Sequence, residues 1–180
     1  FAVNRKIVLG DKAMRKEPFE ADPSNRKHDK FWGFDLKGKT LGVIGLGKIG
    51  TRVAEIGRAL GMKVIAFNRT PKEIDGVELV SLEDAFRKSD VISIHLSVNS
   101  ETTGIISKKE FELIKSSAIL INTGGGKLIV AEDLLEVLQA HKIAGAGLDT
   151  ASGIAKDHPA LTKLDNVVLT PHIGSSTEES

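Results

Sequence analysis

The chain has 180 residues, 41% of them hydrophobic and 27% charged, with a formal net charge of +1. That length suits one domain able to bury roughly 70% of the surface its unfolded form exposes. The near-neutral balance, without a basic tract or an aromatic ladder, argues against a disordered or nucleic-acid-coating protein. The absence of cysteine excludes a disulfide framework and a thiolate metal site, and no apolar run reaches the ~20 residues of a membrane-spanning helix. Cytoplasm is the expected compartment, with neither membrane nor nucleic acid as a partner. The start at Phe1, with no methionine and no signal-like segment, is what an excised domain would give.

Residues 1–16, FAVNRKIVLGDKAMRK, place Val3, Ile7 and Met14 at loosely helical spacing, and Pro18 and Pro23 then sit in a polar stretch running to Asp29. The pattern predicts a leading helix and an irregular arm over 1–37, followed by a domain over 38–180. From Lys39 onward, short apolar runs alternate with amphipathic segments of about ten residues, the rhythm of βαβ units. The expected strands are LGVIG (41–45), VIAF (64–67), VISIHL (91–96), AILIN (118–122), AGAGLD (144–149) and VVLT (167–170). They are apolar on both alternations, as strands covered on both faces of a parallel sheet should be. The expected fold class is therefore α/β, a Rossmann-like doubly wound parallel sheet in a single domain. Between the strands, Ser81 with Asp84 and Ser107 with Glu110 fit the S-x-x-acid capping box that opens a helix. Residues 131–141, AEDLLEVLQAH, put Leu134, Leu135 and Leu138 on one face and two acids in the first turn, where the helix dipole favours them.

Two glycine clusters compete as phosphate sites. GLGKIG, residues 45–50, is a G-x-G-x-x-G directly after the strand LGVIG and directly before the helical pattern TRVAEIGRAL. Strand, glycines and helix in that order are the context of the dinucleotide fingerprint. In it Gly45 allows the tight turn, Gly47 leaves room for a pyrophosphate, and Gly50 lets helix and strand pack closely. The alternative is a tight βα turn without a ligand. The second cluster, TGGGK at 123–127, follows the strand AILIN.

The end of the second strand bears on which dinucleotide is bound. An acid about 20 residues past the fingerprint would accept hydrogen bonds from a ribose 2′-hydroxyl, whereas an arginine suits a 2′-phosphate. Here the residues are Asn68, Arg69 and Thr70. A guanidinium and a hydroxyl without an acid suit a phosphate dianion better, so NADP is the expected cofactor and NAD the alternative. Arg69 as a solvated loop arginine stays open.

The ordered set GLGKIG, HLSVNSETTGII, AILINTGGGKLI, GAGLD and TPHIGSST resembles the D-isomer-specific 2-hydroxyacid dehydrogenases, the group of glyoxylate/hydroxypyruvate reductases and glycerate and phosphoglycerate dehydrogenases. The resemblance implies a coenzyme-binding domain separated from its substrate domain, in an NAD(P)-dependent oxidoreductase acting on CH–OH groups of small 2-hydroxy or 2-keto acids. It implies backbone amides of Lys48 and Ile49 at the pyrophosphate, and Asn68, Arg69 and Thr70 at the adenosine ribose. His95, Leu96, Ser97 and Thr102 would lie at the adenine and ribose wall, with serine at position 97 where proline is commoner. Thr123 and Gly124 would edge the nicotinamide, Asp149 would hold its carboxamide, and His172 and Gly174 would close the cofactor site. His172 matches the acid/base histidine, a role suited to a group whose pKa lies near operating pH. Related proteins commonly pair through this domain and its leading helix, which implies a homodimer with residues 1–16 contributing.

Two departures stand beside these matches. The motif N-T-x-R-G supplies the arginine that pairs with the substrate carboxylate, and here that position is Gly125. Gly125→Arg is expected to restore half of the missing pair. The glutamate that orients the histidine should follow GLD within a few residues, yet residues 150–156 read TASGIAK, without an acid. Losing a charged hydrogen bond to substrate costs roughly 1.5–3 kcal/mol, and general acid–base catalysis is worth about 10²–10⁴-fold. The chain alone is therefore expected to bind its cofactor but to turn over poorly or not at all. The competing reading is a non-catalytic nucleotide-binding or dimerisation module. A short-chain dehydrogenase is disfavoured, since the chain has no tyrosine to act as the catalytic phenol.

Overall fold

The computed structural model describes residues 1–16, 30–149 and 151–178. The stretch holding Pro18, Pro23 and His28 lies outside the described residues. After helix α1 (Ile7–Lys16), the chain runs β1 (Thr40–Ile44), α2 (Lys48–Ala59), β2 (Lys63–Phe67), β3 (Val77–Leu79), α3 (Leu82–Lys88), β4 (Val91–Ile94), α4 (Lys108–Phe111), β5 (Ile119–Asn122), α5 (Ala131–Gln139), β6 (Gly145–Leu148), α6 (Ala151–Asp157) and β7 (Val167–Leu169). The seven strands form one sheet in the order β3-β2-β1-β4-β5-β6-β7, with every pairing parallel. This is the doubly wound Rossmann-like arrangement, and its winding reverses between β1 and β4.

Side-chain alternation assigns each strand residue to one of two layers. Leu41 and Val43 of β1 join Val64 and Ala66 of β2 beneath Ala54 of α2. On the opposite face Ile44, Ile92, Ile94, Leu120, Ala146 and Leu148 form the larger core. They pack there with Phe86 of α3, Phe111 of α4 and Leu134 and Leu138 of α5. The capping residues act as their spacing predicts. Ser81 Oγ accepts from Asp84 N–H at 3.1 Å, and Glu110 Oε2 accepts from Ser107 N–H at 3.0 Å.

The leading residues differ from their helical pattern. Val3 lies in a turn before α1 and is only 5% exposed, whereas Ile7 and Met14 are 55% and 43% exposed. Together with Asn166 O, 2.4 Å from a Cβ on Gly145, and Ile121 Cδ1, 3.0 Å from one on Gly147, Val3 crowds the glycines of β6. A Cβ on Gly145 would stand 2.9 Å from Val3 Cγ1, and one on Gly147 would stand 3.2 Å from Val3 Cγ2. Asn4 fixes the same turn, accepting from Phe34 N–H at 3.0 Å and donating through Nδ2 to Phe34 O at 2.7 Å. The one strand missing from the sequence reading is β3, a three-residue sheet edge with two exposed residues and no apolar run.

If Val3 seals this face of β6, Val3→Ala should cost about 1–3 kcal/mol of unfolding free energy in a denaturant titration. A change below about 0.5 kcal/mol, the range of surface substitutions, would show that the leading turn contributes nothing to the core.

Candidate functional site

The three fingerprint glycines are required for different reasons. Gly45 has φ +100°, and a Cβ there would stand 2.9 Å from His95 O. A Cβ on Gly50 would stand 1.9 Å from Gly45 O. The fold alone therefore demands glycine at both positions. Gly47 is different: its φ of −68° suits any residue, and an added Cβ would meet nothing within 4 Å. Space left free at that point fits a ligand that approaches the backbone closely.

Gly47 is the N-cap of α2, which has no side-chain cap and no acid in its first turn. Gly47, Lys48 and Ile49 are exposed there. First-turn amides without intrahelical partners, at the positive end of a helix dipole, make a site for an anion. Buried Leu46 anchors the loop from below. Its N–H donates to Asn68 Oδ1 at 2.9 Å, and its carbonyl accepts from Lys72 Nζ at 3.1 Å and from Thr51 Oγ1 at 3.2 Å. Lys72, which also donates to Thr51 Oγ1 at 3.0 Å, escaped the sequence reading. Its signal was a lysine just beyond FNRT, within reach of the glycine loop.

Beside this loop an open cleft of about 360 Å³ has Asn68, Arg69 and Thr70 on one wall and Leu96, Ser97 and Thr102 on the other. The Asn68 amide is already committed, since its Nδ2 also donates to Thr70 O at 2.6 Å. Arg69 forms an ion pair with Glu101 of the opposite wall. His95 belongs to the sheet more than to the cleft. Its Nε2 lies 2.8 Å from Ser93 Oγ and its Nδ1 3.4 Å from Thr123 Oγ1, and burial pushes its pKa down.

The triple-glycine loop is held by buried Asn122, another residue the sequence reading passed over. Asn122 Oδ1 accepts from Gly124 N–H at 3.0 Å and Gly125 N–H at 3.4 Å, while Nδ2 donates to Gly125 O at 2.8 Å. Gly125 adopts φ +154°, ψ 141°, and a Cβ there would stand 2.5 Å from Val98 Cγ2. Gly125→Arg, expected to restore half of the missing pair, would therefore place a side chain at a strained backbone position and require the Val98 side chain to shift. A Cβ on neighbouring Gly124 would stand 2.8 Å from Leu96 O.

At the ends of β6 and β7, Asp149 organises the turn that carries His172. Its Oδ1 accepts from Thr170 Oγ1 at 2.5 Å and Ile173 N–H at 3.1 Å, and its Oδ2 from Gly174 N–H at 2.9 Å. The Thr170 hydroxyl above all, aided by those amides, outweighs burial and holds the Asp149 carboxyl below its usual range. His172 N–H donates to Asp149 O. The histidine is exposed and has φ +62°, a conformation costing of order 1–3 kcal/mol unless its surroundings impose it. The stretch expected to hold an orienting acid instead enters α6, where Ile154 joins the core. His158 lies 3.7 Å from Glu132, and His141 follows the end of α5. Among the described residues no group of acids and histidines could hold a metal ion, and no helix is long and apolar enough to cross a membrane.

Fingerprint loop, cleft, triple-glycine loop and His172 turn follow β1, β2, β4, β5, β6 and β7, so all lie along one edge of the sheet. Residues 1–174 match the family described as D-isomer specific 2-hydroxyacid dehydrogenase, NAD binding domain. The chain is 41% identical to a glyoxylate reductase of Thermococcus litoralis, over 99% of this chain and 55% of that protein. It is 40% identical to a D-3-phosphoglycerate dehydrogenase of Archaeoglobus fulgidus, over 99% of this chain and 34% of that protein. Among solved structures, an acyclic imino acid reductase in complex with NADPH and D-Arg superposes with a TM-score of 0.88 at 40% identity, over 99% of this chain and 56% of the other. The apo D-lactate dehydrogenase of Escherichia coli gives 0.86 at 32% identity, over 99% of this chain and 55% of the other. The chain thus spans about half the length of the glyoxylate reductase it matches and about a third of the phosphoglycerate dehydrogenase. By sequence and fold together, it belongs to the D-isomer-specific 2-hydroxyacid dehydrogenases and corresponds to their NAD-binding domain.

Proposed function

We propose that the chain is the coenzyme-binding domain of a reductase of small 2-keto acids, prefers NADP over NAD, and has weakened acid–base and substrate-anchoring parts. The observation that carries the binding role is Gly47, whose missing Cβ faces no atom of the described residues within 4 Å, at an exposed helix N-terminus. In this reading the Gly47, Lys48 and Ile49 main chain receives the pyrophosphate. Asn68, Arg69, Thr70, Leu96, Ser97 and Thr102 line the adenosine end, beside His95. Thr123, Gly124, Asp149 and Gly174 border the nicotinamide end. A dinucleotide bound there supplies the hydride that converts a 2-keto acid into a 2-hydroxy acid. The exposed His172 imidazole would give the proton to the carbonyl oxygen, and Asp149 would set the position of its main chain.

The NADP preference rests on Arg69 and on the lack of an acid at the end of β2. The structurally similar acyclic imino acid reductase was solved with NADPH. Weakened turnover rests on Gly125, held at φ +154° against Val98, and on TASGIAK, which offers His172 no carboxylate. The same features leave the second reading, a non-catalytic nucleotide-binding module, in contention. Assayed with 2-keto acids and NADPH, the chain should show no consumption of the reduced nicotinamide beyond background. Robust turnover would overturn the impairment and remove the second reading with it.

Binding is tested separately. At a concentration 100 times the dissociation constant, NADPH should raise the melting temperature by roughly 5–10 °C. Gly47→Ala should change the stability of the free chain by less than about 1 kcal/mol yet remove that rise. Gly50→Ala should cost at least about 2 kcal/mol. A Gly47→Ala chain that keeps the full shift would contradict the pyrophosphate site.

The leading helix supports the proposed homodimer. Helix α1 buries none of its residues, and Ile7, Val8 and Met14 are exposed on it. Residues 1–37 would then be an arm that pairs two domains of residues 38–180. Light scattering should report a dimer that dissociates when Ile7 and Met14 are changed to Ser. A monomeric parent chain would contradict this assignment.

A further inference from the structure

Arg69 and Glu101 come from opposite walls of the cleft, the end of β2 and the loop after β4, and they pair across it. The main chain on both sides is pinned. Asn99 Oδ1 accepts from Glu101 N–H at 2.9 Å and Thr102 N–H at 3.1 Å, and Thr102 Oγ1 donates to Ser97 O at 2.7 Å. A self-bonded turn therefore presents Glu101. Opposite, the Asn68 side chain ties the residues flanking Arg69 to Leu46 and Thr70. The two charged side chains are themselves 77% and 68% exposed, so water screens their attraction and a stronger partner can displace it.

A 2′-phosphate is such a partner, because it carries more charge than a carboxylate and can receive two parallel N–H donors from one guanidinium. We propose that Glu101 is a specificity-determining residue, an internal competitor for Arg69 that limits discrimination in favour of a 2′-phosphorylated dinucleotide. This rests on the reading of the cleft as the adenosine site. With a 2′-hydroxyl in the cleft, the ion pair persists and Arg69 loses nothing. With a 2′-phosphate, Arg69 must leave Glu101, and the carboxylate is left close to a group of its own sign. Lys72 differs, because its bonds go to a carbonyl and a hydroxyl and, among the described residues, no acid pairs with it. Of these two cations beyond β2, only Arg69 carries a built-in competitor.

Calorimetric titration of the 180-residue chain with NADPH and with NADH gives the ratio of the two affinities. In Glu101→Gln the ratio should move toward NADPH by about three- to tenfold. In Glu101→Lys it should move further, with melting curves confirming that both variants are folded. In an Arg69→Gln background, Glu101→Gln should change the ratio much less, because the competitor then has nothing to compete for. A ratio unchanged within about twofold in both Glu101 variants would overturn the proposal, whichever cofactor the parent chain prefers. A parent chain that prefers NADH, with the Glu101 shift intact, would instead sink only the NADP reading.

Discussion

The seating of α2 on β1 is the constraint on which the candidate site depends. A Cβ on Gly50 would fall 1.9 Å from Gly45 O, and one on Gly57 would fall 2.4 Å from Leu41 Cδ2. Only glycines let the helix start this close to the strand and run this close along it. Because the helix begins directly at the strand end, its free amides open onto the edge where the sheet reverses its winding. A longer connection would satisfy those amides elsewhere or aim them away. Leu46 then ties the loop to its surroundings, through Asn68 on the amide side and Lys72 and Thr51 on the carbonyl side.

The two halves of the edge have been treated differently. At the fingerprint the helix N-terminus is exposed, and among the described residues nothing fills the space over Gly47. At the other half, where the proposed function puts the nicotinamide, the supporting hydrogen bonds are present. Asp149 still clamps the turn bearing His172 through Ile173, Gly174 and Thr170. Asn122 still shapes the loop after β5. Yet that loop carries Gly125 in a conformation strained for other residues, and α6 takes up the stretch where an orienting acid was expected. In the proposed function, binding and chemistry would therefore separate, because they rest on different strand ends.

Much of this was legible in the amino-acid sequence, for identifiable reasons. Strands buried on both faces read as continuous apolar runs, and six of the seven were placed from that signal; β3 was not, since a partly exposed three-residue edge carries no such run. GLGKIG was legible because its glycine spacing sits between an apolar strand run and a helical pattern, a context contained in the sequence itself. Lys72, Thr170 and Glu101 were not, because each acts through a partner that only the tertiary fold brings near; Asn122 bonds locally, to Gly124 and Gly125, but inside an apolar strand run it carried no signal of its own. The AGAG of β6 reads as strand sequence and nothing more; Val3, Asn166 and Ile121, which crowd its glycines, come from elsewhere in the chain. Gly125 was conspicuous for the side chain it lacks, but only the fold shows that its backbone would strain an arginine placed there.

The central claim is that the first glycine cluster, and not the second, receives the phosphates. It is tested most directly by titrating ADP into the isotope-labelled chain and following the backbone amide resonances. ADP carries the adenosine and pyrophosphate but no nicotinamide. The account predicts large shifts at Gly47, Lys48 and Ile49 and at Arg69, with the amides of Gly124, Gly125 and Gly126 nearly still. Shifts concentrated at Gly124 to Gly126, with Gly47 to Ile49 unmoved, would contradict it.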